Sequence, residues 1–518
     1  MGLGKSLIVL VALSASPTTA QDSDGRPLSA IDWLSQSVQT PIATPETLTP
    51  LRRNEAPVAD NATPPQVTVT ALDSRSPDVA GLLAPGITGL PRSLWAGSDA
   101  QTLATLVRAE RVDTLPALQE LLITLMLAEA DPPAGARPQG DLFLARVDKL
   151  LDIGALEQAQ ALLEAADPTT PELFRRWFDV ALLTGTEDLA CATLRDHPDL
   201  APTIPARVFC LARNGDWQAA ALIVNTARAL GDISDSEDAL LSRFLDPDIY
   251  EGDAPLAIPD RVTPLVFRMH EAIGEGLSSV GLPRAFAQAD LRPTTGWKAQ
   301  LEAAERLARN SAIDPNVLFG LYRAHMPAAS GGVWDRARAV QTFDAALKAG
   351  DADAVAAALP AVWAAMQDAR TEVPFARVYA PGIAAMTLPD QTRRLVFHIA
   401  LLSPDYEAAA LAANPLSPAD RFLQKLAQGD LAGQPGADPN AEAVAAAFGP
   451  TGADDVLTTM ARDGKLGEAI LRALSLFDQG MAGDPDALTQ SLQLLRSVGL
   501  EDYARRAALQ LLLLERPV

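Results

Sequence analysis

One pattern constrains this chain more than any other: a glycine followed five residues later by an alanine. "DIGALEQAQ" carries it at Gly154 and Ala159, "LTGTEDLAC" at Gly185 and Ala190, and "RNGDWQAAA" at Gly215 and Ala220. It returns in "RDGKLGEAI" at Gly464 and Ala469, and in "SVGLEDYAR" at Gly499 and Ala504. The first three glycines are 31 and 30 residues apart, and the last two 35. A sixth copy, at Gly350, has Val355 where the alanine is expected. Glycine takes the positive φ that ends a helix at little steric cost. An alanine early in the next helix lets the two helices approach, where a larger side chain would hold them apart. A period of 30 to 35 residues built this way is that of stacked helical hairpins. The flanks agree: apolar residues recur at helical spacing in "QTLATLVRAERV", "PALQELLITLMLAEA" and "DLFLARVDKLLDIG". Breakers such as "DPPAGARPQG", "DPTTP" and "HPDLAPTIP" separate them. The expected fold class is all-α, and an aromatic content of only 5% suits alanine- and leucine-rich helices better than a β-sandwich.

The pattern resembles the tetratricopeptide repeat. In that family a Gly-Asp-like turn precedes the second helix, one alanine follows five residues on, and another comes seven later. Here "GDWQAAALIVNTA" supplies Gly215, Asp216, Ala220 and Ala227, and "GALEQAQALLEAA" supplies Gly154, Ala159 and Ala166. The family's tryptophan–leucine–glycine–tyrosine pattern in the first helix is missing, and Leu476 replaces the second alanine in the Gly464 copy. The resemblance implies a TPR-like solenoid with a groove that holds a segment of another protein. The whole chain also resembles a group of uncharacterised exported bacterial proteins, some labelled antifreeze glycopeptide-related. The Ala-Ala-Thr repeats behind that label are absent here.

The N-terminus reads as an export signal. Lys5 precedes the apolar run "LIVLVAL", and small residues close "SASPTTA", so cleavage is expected after Ala20 and the mature protein is expected in the periplasm. Residues 21–92 are rich in proline and threonine and read as a disordered tail. Within it "SAIDWLSQSV", residues 29–38, places Ile31, Leu34 and Val38 at helical spacing with Trp33 beside them. Ten residues alone cannot hold a helix in water. The stripe either docks on a partner or on this chain's own groove, or it is a leftover apolar cluster. Helical repeat blocks are expected over 93–246, 263–412 and 440–518, with no membrane span in the mature chain.

The net charge of −23 comes without any clustering of Lys and Arg, which argues against nucleic acid. An acidic groove would prefer a basic segment. Catalytic motifs are missing: there is no G-x-S-x-G, no phosphate-binding G-x-x-x-x-G-K-[ST] and no H-E-x-x-H. His197, His270, His325 and His398 are widely spaced. "DISDSED" lacks the glycine of a calcium loop and reads as helix capping. Soluble lytic transglycosylases, which are periplasmic and superhelical, use a glutamate followed by serine, and no Glu-Ser pair occurs here. No catalytic, cofactor or metal residue is therefore nominated. The expected function is a non-catalytic periplasmic scaffold or adaptor that binds another envelope protein. The alternative is a cell-wall enzyme or its accessory subunit.

Two local features are singled out. Cys191 and Cys210 lie on helices joined by a proline-rich turn and nearly equidistant from its middle, so they either bridge or sit as two buried thiols. In "HMPAASGGVWDRA", Trp334 follows a flexible Ser-Gly-Gly joint, where it either contacts a partner or anchors a hairpin.

Overall fold

The computed structural model describes residues 76–415, 417–431, 433–449 and 456–514. Among the described residues the protein is a stack of α-helices with no β-strand. The export signal and the 29–38 motif, with Ile31, Trp33, Leu34 and Val38, lie outside the described residues.

Each copy of the Gly–Ala pattern is the corner of a helical hairpin. Gly154 joins Asp141–Ile153 to Leu156–Ala165, Gly185 joins Pro171–Thr184 to Glu187–Asp196, and Gly215 lies between Ile204–Arg213 and Trp217–Leu230. Gly464 separates Val456–Arg462 from Leu466–Met481, and Gly499 separates Pro485–Ser497 from Glu501–Leu513. The five glycines have φ between +82° and +89°. Gly154 is held twice over. Its φ is +89°, and a Cβ added there would lie 2.7 Å from Leu307 Cδ2 on a distant helix. Ala159, Ala190, Ala220, Ala469 and Ala504 are all fully buried, each where two helices press together. Val355 is also fully buried in the sixth hairpin, Val333–Ala349 with Ala352–Ala369.

Proline opens many helices and interrupts few. Pro116, Pro171, Pro264, Pro315, Pro418, Pro439 and Pro485 each occupy the first turn, where the missing N–H costs nothing. The acidic "DISDSED" stretch is a cap: the Ser234 side chain accepts from Glu237 N while Glu237 reaches back to Ser234 N.

The tail ends earlier than the sequence suggests. Residues 76–92 belong to the body. Asp78 is fully buried and accepts from Phe143 N at 2.7 Å, capping a helix whose own N-cap is Gly140. Leu83 bridges to Ala128, and Leu94 and Trp95 are fully buried. Arg146 locks this segment down. It has no solvent exposure and donates to the carbonyls of Ala80 at 2.8 Å, Met126 at 2.7 Å and Ala128 at 3.1 Å. The gap expected between 412 and 440 also holds a helix, Pro418–Ala427.

The helical blocks pack on one another. After Leu245 the chain turns back, so that Pro264–Ala272 packs on Pro171–Thr184 and the Arg284–Phe286 turn packs on Asp141–Ile153. Gln288 Nε2 donates to Gly154 O at 2.8 Å across this contact. At the other end Glu501–Leu513 packs on Pro116–Leu127, and Leu466–Met481 packs on Ala100–Ala109. Gln510 Oε1 accepts from Ala117 N at 2.9 Å, and Thr114 donates to Asp478 at 3.0 Å. The Trp95 ring lies so close to Gly467 that a Cβ there would meet it at 2.3 Å. Glu120 ties three parts of the chain together: Arg506 reaches one of its oxygens at 2.7 Å, and Arg377 bonds the other. The helices form a closed circuit in which the first and last hairpins touch.

Candidate functional site

Cys191 and Cys210 form a disulfide with Cα atoms 4.9 Å apart. Both are buried, and Asn214 Nδ2 donates to Cys191 O at 3.3 Å beside them. The bridge links the second helix of one hairpin to the first helix of the next. It fixes the step between repeats rather than the corner within one.

Trp334 lies on the first turn of Val333–Ala349 and is half-buried. Its ring centroid is 5.1 Å from that of Trp297, and Trp297 is 5.4 Å from His325. The three rings come from three successive helices or their ends. Trp297 opens Trp297–Ala308, His325 ends Pro315–Ala324, and Trp334 opens the next. Met326 follows His325 directly and is 81% exposed. Trp297 and Trp334 are half-buried against the core, and His325 and Met326 are exposed beside them at the tip of the middle hairpins.

The floor under that tip is rigid. Trp297 Nε1 donates to Leu321 O at 2.8 Å. Gln341 Nε2 donates to Tyr322 O at 2.8 Å and His325 O at 2.7 Å, so the helix that ends at Ala324 keeps its last carbonyls paired. Beneath lies Glu305, 1% exposed, which accepts from Tyr322 Oη at 2.6 Å and from Arg336 at 2.8 and 2.7 Å. Burial and the Glu305 carboxylate push the Tyr322 phenol well above its ordinary range. It stays a donor throughout the physiological range. Arg336 neutralises a carboxylate that would be costly to bury alone.

The histidines do no common work. His398 Nε2 pairs with Asp420 at 2.8 Å, and Ser417 Oγ caps the same helix by accepting from Asp420 N. This clamps Arg393–Leu401 to Pro418–Ala427. Burial pushes the Asp420 carboxyl up, but hydrogen bonds from His398 and Ser417 outweigh it and hold the group below its ordinary value.

The sequence gives no sign of a second feature. A cavity of about 700 Å³ opens where the first, middle and last hairpins meet. Five arginines line it: Arg111, Arg284, Arg306, Arg309 and Arg370. Arg306 and Arg309 share the end of one helix, and the other three come from separate parts of the chain, so no local motif marks the set. Tertiary closure alone brings them together.

Among the described residues, no helix is long and apolar enough to cross a membrane. No protein-family model, curated protein or solved structure matches the chain.

Proposed function

We propose that this chain is a non-catalytic adaptor of the bacterial envelope, exported to the periplasm, that binds another protein through its TPR-like hairpins. The observation that carries this reading is the surface of Trp297, His325, Met326 and Trp334. Two half-buried tryptophans back an exposed histidine ring and an exposed thioether on a hydrogen-bonded floor. Aromatic and methionine side chains of this kind are enriched in protein interfaces. Its rigidity lowers the ordering cost of association. One face of the Pro171–Thr184 helix is covered by the chain's own Pro264–Ala272, which favours the middle hairpins as the contact for a partner. The 29–38 motif serves as a second, tethered contact whose long linker raises its local concentration. The Lys5 start, the apolar run and the small residues up to Ala20 support export.

The test is photo-crosslinking in cells from position 326, with Trp334→Ala in parallel. The expected result is one discrete adduct with an envelope protein, lost in the Trp334→Ala variant. That variant should keep its helicity and lose about 1 kcal/mol of stability from the broken aromatic pair. Absence of an adduct would contradict the reading. Clearing of peptidoglycan by the purified protein would favour the cell-wall enzyme instead.

A further inference from the structure

The chain carries 65 acidic residues against 42 basic ones, yet the cavity of about 700 Å³ is lined by five arginines. Only two carboxylates, Asp113 and Asp368, share the lining. Asp113 is already committed: Arg284 Nη2 binds it at 2.5 Å. Asn310 backs the same guanidinium. With its amide turned so that both ends are satisfied, its oxygen accepts from Arg284 Nε at 2.8 Å and its nitrogen donates to Val112 O at 3.1 Å. Arg284 and Asp113 thus form a closed pair, and the other arginines retain their charge.

Those charges are only partly balanced from within: Asp113 and Asp290 act on Arg306 and Asp478 on Arg111, but none of these acids forms an ion pair with Arg306 or Arg111. Arg306 donates to the carbonyls of Ser279 and Leu282, and Arg309 Nε to that of Ala369. Carbonyls orient a guanidinium without neutralising it. Burial lowers Arg306, and the neighbouring positive charges of Arg284 and Arg309 lower it further. Burial also lowers Arg309. Glu305 opposes that, and Arg336 and Arg370 add to it. Glu305 lies 3.7 Å from Arg309 but is already shared with Arg336 and Tyr322. Among the described residues, the side chains of Arg111 and Arg370 make no hydrogen bond or ion pair, and both are exposed at the cavity. Arg370 is held there by an uncommon backbone. Its φ is +55°, in the left-handed region, where it caps the Ala352–Ala369 helix. A non-glycine residue kept in that region marks a local strain that the surroundings must support.

The helix Pro116–Leu127 adds to the same field. It begins at the cavity, where its N-cap, Leu115, offers no side-chain cap and Gln510 Oε1 instead accepts from Ala117 N at 2.9 Å, so only part of the positive end of its dipole faces the cavity.

We propose that this cavity binds a small polyanion carrying two or more phosphate or carboxylate groups, held by Arg111, Arg309 and Arg370. The volume suits a small molecule rather than a lone inorganic ion. Guanidinium forks on several sides select for charge in more than one direction. Arg111 belongs to the first hairpins, and Arg309 and Arg370 to the middle ones. A bound anion therefore cross-links parts of the fold that already meet. This site does not depend on the adaptor reading, because it lies on other residues than the aromatic surface.

The test is isothermal titration calorimetry of the purified full chain with pyrophosphate and with citrate, using acetate at matched ionic strength as control. The expected result is saturable one-to-one binding of at least one polyanion, weakening as salt rises, and none with acetate. Binding of pyrophosphate alone assigns the site to phosphates, binding of citrate alone assigns it to carboxylates, and either supports the proposal. The double variant Arg111→Gln with Arg370→Gln should fold as the parent does, because neither side chain has an intramolecular hydrogen bond to lose. It should bind at least about tenfold more weakly, as expected for lost charge-assisted hydrogen bonds. No saturable binding by either probe would overturn the proposal. Unchanged affinity in the double variant would overturn it too.

Discussion

At the scale of single residues, the most informative group is Glu110. It is 5% exposed where the first hairpins meet the last, and Ser475 donates to its carboxylate at 3.2 Å. Burial pushes it up to about 8; the Ser475 hydrogen bond and Lys149 act against this, and Asp478 adds to it. In the unfolded chain it titrates near the ordinary 4.5. Between these two values the folded state holds a proton that the unfolded state has released. Stability therefore falls as pH rises from 4.5 to 8 and levels off above. Glu110→Gln should match the parent's melting temperature below pH 4.5 and exceed it above pH 8. Asp179, pushed up to about 7 by burial, leaves the variant a smaller slope of the same sign. Thermal melts across this range check the prediction, and identical slopes in parent and variant would contradict it. None of this is visible in sequence, where Glu110 is one acid in "VRAERV". The Gly–Ala positions are legible because a left-handed corner and the volume of one methyl group are local requirements. The buried acids and the cavity arginines depend on neighbours hundreds of residues away.

At the scale of elements, the disulfide is the fastener between hairpins. It joins Glu187–Asp196 to Ile204–Arg213 across 19 residues. Closing a loop of that length restricts the unfolded chain by about 3 kcal/mol on the loop-entropy account. Reduction should lower the melting temperature of the parent and leave a Cys191→Ala, Cys210→Ala double variant unchanged. Equal melting curves of the parent with and without reductant would contradict this. The same scale explains why the start of the body is misread from composition. Proline is excluded from helix interiors, so the run of prolines before residue 92 suggests an unfolded tail. Pro77 and Pro85 instead stand at the first positions of short helical turns, where proline fits. What holds this segment is Arg146, a fully buried cation whose carbonyl partners include Ala80. Composition reports what a segment cannot form alone, and a buried arginine elsewhere can still order it.

At the scale of the whole molecule, closure of the helical stack decides much else. The hairpins do not extend as an open stack but close, so that the last helix packs on one of the first. Repeat spacing predicts hairpins and their order but carries no information about whether the ends meet. Closure builds the arginine cavity, buries Glu110 against Ser475, and gathers Glu120 with Arg377 and Arg506. The most direct measurement is a double-mutant cycle on Glu120 and Arg506. These residues are 386 positions apart in sequence and 2.7 Å apart in the fold. Denaturant unfolding of Glu120→Gln, Arg506→Gln and the double variant isolates their coupling. For a half-buried pair in direct contact, the account predicts a coupling of about 1 kcal/mol. Strict additivity of the two substitutions would contradict closure.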